Sequence, residues 1–241
     1  MQDDRTAGRG SKRLGDLAPG LYLVATPIGA ARDITLRALD ILATADVLAA
    51  EDTRTLRHLM DIHGVRLGER PLWAYHDHNG AAVRPRILQA LAEGRSVAYC
   101  SEAGTPVIAD PGFQLARAAI EAGAPVTGAP GPSAAILALG LSGLPSDRFL
   151  FAGFPPAQAG ARARWLEQIG SVPATLILYE SPRRVQRLLT ELCDRWDESR
   201  PAALCRELTK RFEEVRRGTL GSLRDGLARA PVKGEIVLVI G

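Results

Sequence analysis

Short apolar runs alternate with longer stretches of helical period through most of the chain, and that alternation limits the fold more than any other feature. Leu21–Thr26, Asp46–Ala50, Pro71–Tyr75, Ser96–Cys100 and Pro125–Thr127 read as buried strands, the first ended by Pro27 and Gly29. Between them, Thr35–Ala43, Arg54–Ile62, Ala81–Ala92 and Phe113–Glu121 carry apolar residues at helical spacing. Asp33 or Thr35 can cap the first of these helices, and Gly64, Gly94 and Gly123 close the others. Strands separated by helices need crossover connections, so this half is predicted as an α/β unit with a mostly parallel sheet and helices on both faces. Ligands of such sheets bind where loops leave the carboxyl ends of the strands.

Residues 128–133, Gly-Ala-Pro-Gly-Pro-Ser, cannot continue a helix or a central strand and read as an interdomain linker. Beyond it, Ser133 can cap a helix over Ala134–Leu141. Strands are expected over Phe149–Phe154, Ala174–Tyr179, Pro201–Arg206, Phe212–Thr219 and Glu235–Ile240. Helices over Ala161–Ile169, Pro182–Cys193 and Leu220–Ala228 separate some of them, which predicts a mixed α/β sheet. The expected organisation is a mobile tail over residues 1–19, an N-terminal domain over 20–130 and a C-terminal domain over 131–241.

Composition excludes several classes. Of 241 residues, 46% are hydrophobic and 24% charged, a globular balance rather than a disordered one. No apolar run reaches the ~18–20 residues that span a bilayer. The first twenty residues hold no apolar core of a secretion signal, so a cytoplasmic protein is expected. Cys100, Cys193 and Cys205 have neither disulfide-framework nor zinc spacing. The positive charge is carried by 27 Arg against three Lys, a skew that an RNA partner or GC-rich codons explain equally well.

Phosphate-binding and dinucleotide-binding glycine loops, the H-E-x-x-H metal motif and the G-x-S-x-G elbow are absent from the sequence. His76 and His78 have no third partner at metal spacing. What remains is a set of strand-end loops rich in Gly, Pro, Ser, Thr and acids: residues 25–35, 49–54, 75–79 and 100–112. Four such loops on successive parallel strands converge on one sheet edge, which points to a binding cleft.

These loops resemble those of the tetrapyrrole-methylase-like S-adenosylmethionine methyltransferases. The resemblance is greatest to the bacterial branch that 2′-O-methylates a cytidine in the decoding region of small-subunit (16S) ribosomal RNA. Leu21–Gly29, Asp33–Leu39, Ala50–Arg54, His78-Asn79, Ala103–Pro106, Asp110–Gly112, Pro130–Ala134 and Ser142–Pro145 carry it in the first part. Phe151–Pro155, Glu180–Pro182, Arg206–Lys210, Arg217–Thr219 and Lys233–Val237 continue it in the same order, so it spans nearly the whole chain. The family usually has Asp at the position of Glu102 and Asn-Leu at Ala30-Ala31.

The resemblance implies a two-domain tetrapyrrole-methylase-like fold, a cofactor cleft between the domains, a homodimer and no metal. It implies that Pro27, Ile28, Gly29, Ser101, Glu102, Ala103, Gly104, Thr105, Ser133, Ala134, Tyr179, Gly234, Glu235 and Ile236 contact S-adenosylmethionine. Removing the proton of a ribose hydroxyl calls for a carboxylate or His near the transferred methyl. Asp33, Glu51, Asp52, His78 and Glu180 are the strand-end candidates, and Asp52 and His78 are preferred. Arg54, Arg148, Arg206 and Lys210 are expected to contact RNA phosphates, with Arg211 near them. Two alternatives stay open: a porphyrin or corrin C-methylase of the same fold, and a non-catalytic RNA-binding or ribosome-assembly protein.

Overall fold

Alternation of side chains along every central strand builds two helix-covered sheets, each in its own unit. The computed structural model describes residues 17–241, so the expected tail up to residue 16 lies outside the described residues. One unit runs through Pro27 and from Ala31 to Pro132; the other comprises Ile28–Ala30 and Ser133–Gly241.

The first unit contains β1 (Gly20–Val24), α1 (Leu36–Thr44), β2 (Val47–Ala50), α2 (Thr53–Ile62) and β3 (Leu72–Ala74). It continues with α3 (Gly80–Ala92), β4 (Ser96–Cys100), α4 (Gly112–Glu121) and β5 (Val126–Ala129). Its five strands are all parallel, in the order β3-β2-β4-β1-β5. Leu48, Ala50, Ala98 and Cys100 pack with α1 and α2 residues such as Ile41, Leu42, Leu56 and Met60. Their strand neighbours Val47, Ala49, Val97 and Tyr99 pack instead with Ile87 of α3 and Leu115 of α4. This period of two puts α1 and α2 on one face and α3 and α4 on the other. Thr35 caps α1 by accepting from Ala38 N, while Asp33 ends a short 3-10 turn over Ala31–Asp33.

Gly128 and Ala129, expected in the linker, instead complete β5. They pair in register with Leu23 and Val24, and a Cβ at Gly128 would stand 3.1 Å from the Leu23 carbonyl oxygen. Edge strands tolerate such a glycine because only one side must pair. The division between units therefore falls after Pro132.

The second unit contains α5 (Ala134–Ser142), β6 (Phe149–Gly153), α6 (Ala159–Gly170), β7 (Thr175–Glu180) and α7 (Val185–Arg195). β8 (Pro201–Arg206), β9 (Glu214–Thr219), α8 (Leu220–Arg229) and β10 (Ile236–Ile240) follow. The sheet order is β6-β7-β10-β8-β9, with β6 and β7 parallel and the other pairs antiparallel. β10 lies in the middle, and its run Ile-Val-Leu-Val-Ile is buried throughout, as a strand covered on both faces requires. Ile236, Leu238 and Ile240 face α6, α7 and α8; Val237 and Val239 face α5. β9 begins two residues later than its apolar pattern suggests. Phe212 and Glu213 close a turn in which Glu213 N donates to Lys210 O.

Candidate active site

All five strands of the first sheet point their carboxyl ends the same way, so the loops after Ala74, Ala50, Cys100, Val24 and Ala129 line one edge in that spatial order. Adjacent strands β2 and β4 send their following helices, α2 and α4, to opposite faces. Loops that part in this way leave a crevice at the strand ends. Glu51 and Asp52 sit on one side of it and Ser101–Thr105 on the other.

The loop after β4 is pinned from within its own unit. Thr26 and Gly104 exchange backbone hydrogen bonds at 2.9 and 3.0 Å, the buried Ser101 hydroxyl donates to Gly104 O at 2.9 Å, and Thr105 Oγ1 donates to Pro132 O. Gly104 has φ +82, a conformation that glycine adopts without strain. Glu102 and Ala103 at the tip remain exposed. A fixed turn presenting an exposed carboxylate suits the ammonium or ribose hydroxyls of S-adenosylmethionine, so the residues here fit that ligand's chemistry.

Behind the tip lies a group of carboxylates. Glu51 Oε2 accepts from the Glu102 backbone N–H at 3.2 Å. The Asp110 carboxyl neighbours Glu51. Asp110 Oδ1 accepts from Tyr99 Oη, Val107 N and Gly112 N at 3.0, 3.1 and 2.6 Å, while its Oδ2 is buried without a partner. Burial, with the negative charges of Asp110 and Glu102 added, raises the Glu51 carboxyl above its ordinary value, against the lowering effect of the Glu102 N–H. Burial and the neighbouring Asp110 likewise push the Tyr99 phenol up, so it stays a donor. Val107 and Ala109 have φ of +78 and +56, a strained path for non-glycine residues that presents Asp110 inward.

Asp52 has a different surrounding from Glu51. It is the N-cap of α2, accepting from Arg54 N at 2.7 Å and Thr55 N at 3.3 Å, and it pairs with the Arg54 guanidinium at 3.1 Å. The Arg54 side chain and these N–H groups hold its carboxyl below the ordinary range. His78 is exposed, in a turn closed by Asn79, whose Oδ1 accepts from His76 N and whose Nδ2 donates to Ala74 O. Asp33 is exposed on the loop after β1; Glu180 is buried in the second unit and pairs with Arg184 at 3.0 Å.

In the second unit the chain ends of β7, β8 and the start of β10 meet, since Ile236 pairs with both Glu180 and Arg206. Tyr179 packs edge-on against Phe151 and Phe154, and its hydroxyl accepts from Ala135 N at 3.2 Å, beside Ser133 and Ala134. Gly234, at φ +91, has no room for a Cβ against Glu207. Glu207 accepts from Glu235 N and donates its own N–H to Glu235 O, and Lys210 bridges both carboxylates at 3.2 and 2.9 Å. Burial works against the Lys210 charge, but Glu235 and Glu207 outweigh it and keep the ammonium above its ordinary value. Ile28, Gly29 and Ala30 belong here: Ile28 packs with Ala135, Leu139 and Leu208, and Ala30 N donates to Thr209 Oγ1.

The expected RNA contacts are divided. Arg54 is 90% exposed, whereas Arg206 is tied to Lys233 O and Glu214. Arg148 precedes β6 and its carbonyl accepts from Thr175 N, so it lies at the opposite end of the second sheet from Arg206, about 16 Å along the strands. There it lines a hollow of about 470 Å³ with Asp147, Thr175 and Arg200. Sequence reasoning gave no role to Asp110, Glu207 or Thr209. The Asp-Pro-Gly after β4 signalled a turn, but Glu207 and Thr209, at φ +49 and +63, carry no glycine to mark them.

A parallel sheet with its loops gathered at one edge, followed in the chain by a mixed sheet centred on β10, is the architecture of a known methyltransferase family. The chain belongs to the tetrapyrrole (corrin/porphyrin) methylase family, whose profile matches residues 20–224. It is 53% identical over 226 residues to ribosomal RNA small subunit methyltransferase I of Mesorhizobium japonicum, spanning 93% of this chain and 76% of that protein. The protein of the same name in Xylella fastidiosa is 48% identical, over 92% and 81%. Among solved structures, uroporphyrin-III-C-methyltransferase from Thermus thermophilus aligns at TM-score 0.61 and 25% identity, over 92% of this chain and 94% of that one. Among the described residues no helix is long and apolar enough to cross a membrane.

Proposed function

We propose that this protein transfers a methyl group from S-adenosylmethionine to the 2′-hydroxyl of a cytidine in the decoding region of 16S ribosomal RNA. The observation that carries the reading is the identity of about half of all positions with a ribosomal RNA small subunit methyltransferase over most of both chains. The substrate is small-subunit RNA, free or assembled, in the cytoplasm, and the working form is a homodimer.

The bound donor supplies a methyl group already activated on a sulfonium, so the reaction as proposed calls for no metal. The protein supplies alignment, exclusion of water and a proton acceptor. Ser101, Glu102, Ala103, Gly104 and Thr105, with Pro27, form the donor-binding residues of the first unit. Ile28, Gly29, Ser133, Ala134, Tyr179, Gly234, Glu235 and Ile236 are those of the second. Asp52 and His78, the acceptors expected from sequence, lie on the loops after β2 and β3 at the same sheet edge, and Arg54, Arg148, Arg206 and Lys210 are the proposed phosphate contacts.

The test is a map of ribose methylation in small-subunit RNA from cells with and without the gene, together with labelled-methyl transfer by the purified protein. Loss of one decoding-region cytidine methylation, restored by the protein, is the expected result. Incorporation of label into a tetrapyrrole and none into RNA would establish the C-methylase alternative. Failure to bind S-adenosylmethionine at millimolar concentration in a calorimeter would favour a non-catalytic RNA-binding role.

A further inference from the structure

We infer that Glu51 takes the proton of the attacking hydroxyl, with Asp110 as the residue that positions and tunes it; the inference rests on the methyl-transfer reading above. Glu51 stands at the crevice where α2 and α4 leave adjacent strands for opposite faces, and it accepts from the backbone N–H of Glu102, a proposed donor contact. Its carboxyl is thus fixed against the loop that would hold the methyl donor. Asp110 is held in turn by Tyr99, Val107 and Gly112 through one oxygen, and the other oxygen is buried with no donor to satisfy it. Two neighbouring carboxylates with no donor between them gain a hydrogen bond only when one proton arrives.

Burial, and then the neighbouring Asp110 charge, make Glu51 a better proton acceptor than an exposed carboxylate. A proton taken up by Glu51 removes a buried charge, eases the repulsion from Asp110 and can be shared with the unpartnered Asp110 oxygen. The groups facing Glu51 are Asp110, Glu102 and Tyr99, the last a phenol kept neutral by burial. Asp52, one residue on, spends its oxygens on Arg54 and Thr55 and is stabilised as the anion, which lowers its affinity for a proton. In the balanced step, the hydroxyl oxygen forms its bond to the methyl carbon and its proton passes to Glu51. The methyl–sulfur bond breaks with its electron pair to sulfur, leaving a neutral thioether, and Glu51 returns its proton to water after product release.

The experiment compares wild type, Glu51→Gln and Asp110→Asn in labelled-methyl transfer to small-subunit RNA across pH. Carboxyl titrations followed by ¹³C NMR on the donor-free protein accompany it. Glu51→Gln, which preserves an acceptor for Glu102 N, is expected to lower kcat about 10²–10⁴-fold. It should also abolish the acid limb of the kcat profile, while KM for the donor changes less than about threefold. Asp110→Asn is expected to move the acid limb to lower pH with a smaller loss of kcat. In the NMR titration Glu51 should titrate above the ordinary carboxylate range in wild type, and lower, though still raised by burial, in Asp110→Asn. Wild-type kcat and an unmoved acid limb in Glu51→Gln, or an ordinary Glu51 titration in the donor-free protein, would overturn the inference while leaving the methyltransferase reading intact. A wild-type protein that methylates no RNA overturns the reading, and this inference with it.

Discussion

The backbone N–H of Ala30 donates to Oγ1 of Thr209 at 3.1 Å, although 179 residues separate the two in sequence. The contact seats Ile28–Ala30, which follow a strand of the first sheet, among residues of the second unit. Gly29 completes it: a Cβ there would stand 2.5 Å from Lys210 Cγ and 2.6 Å from Thr209 Oγ1. Gly29→Ala is expected to destabilise the protein by about 1–3 kcal/mol. It should also weaken donor binding at least about tenfold. Urea unfolding and calorimetry measure the two effects; wild-type values in both would remove Gly29 from the site.

Arg162 shows how a charge is kept inside the second unit. Its side chain is 4% exposed and makes two hydrogen bonds to Glu191, at 2.6 and 2.7 Å, with the Pro156 and Ala157 carbonyls accepting from its Nη1. Hydrogen bonds from Arg162, aided by Arg187, hold the Glu191 carboxyl down at about 2. Glu191→Gln is expected to cost about 2–4 kcal/mol, because Arg162 is left buried without its counter-charge. The pH dependence has a definite sign. The folded-state value lies below the ordinary 4.5, so the contribution is complete above about pH 4.5 and is lost as pH falls toward 2. Urea midpoints at pH 7, 4 and 3 should converge for wild type and Glu191→Gln; a constant gap would refute the linkage.

Tyr99 and Gly112 together hold Asp110. A Cβ on Gly112 would collide with the Tyr99 ring and the Asp110 carboxylate. Gly112→Ala should therefore cost more than Tyr99→Phe, which removes one hydrogen bond worth about 1 kcal/mol. Thermal unfolding gives the order, and a Gly112→Ala protein as stable as wild type would mean that the ring or the carboxylate moves freely.

Capping predicts a smaller effect at Asp52. Its carboxylate satisfies two N–H groups at the start of α2, so Asp52→Ala is expected to lower the unfolding midpoint slightly. Denaturant unfolding measures it, and Asp52→Asn should recover most of the loss.

Phosphate contacts are read from salt dependence. Arg54→Ala and Arg148→Ala should each reduce the slope of log affinity for small-subunit RNA against log salt by about one. Arg148 is the more decisive, since it lies at the far end of the second sheet from Arg206. An unchanged slope there would assign that arginine to the codon usage behind the excess of Arg over Lys.

Much of the fold was legible because its signals are local. Ser96–Cys100 and Pro201–Arg206 have the same bounds in sequence and structure, because each is a short apolar run flanked by glycine, proline or charge. Helix ends followed from Thr35, Gly64, Gly94 and Gly123, whose caps depend on neighbours within a few residues. Gly128-Ala129 defeated the same logic. Their local composition says linker, and only the neighbouring edge of β1 makes them a strand.

The candidate site divides along the same line. That chemistry belongs at the loops after β2 and β4 followed from sequence, because parallel strands must expose their carboxyl ends together. Which carboxylate is basic did not follow. Glu51 and Asp52 are adjacent and chemically alike, yet one caps a helix beside Arg54 and the other faces Asp110, 59 positions away. Sequence determined the strand and helix periods, the family pattern and the loops that carry chemistry, since each is written in neighbouring residues. Tertiary structure alone decided the pairings of Glu51 with Asp110, Ala30 with Thr209 and Arg162 with Glu191. The energy of a charge or hydrogen bond depends on what packing brings within a few ångströms, and no local pattern encodes that.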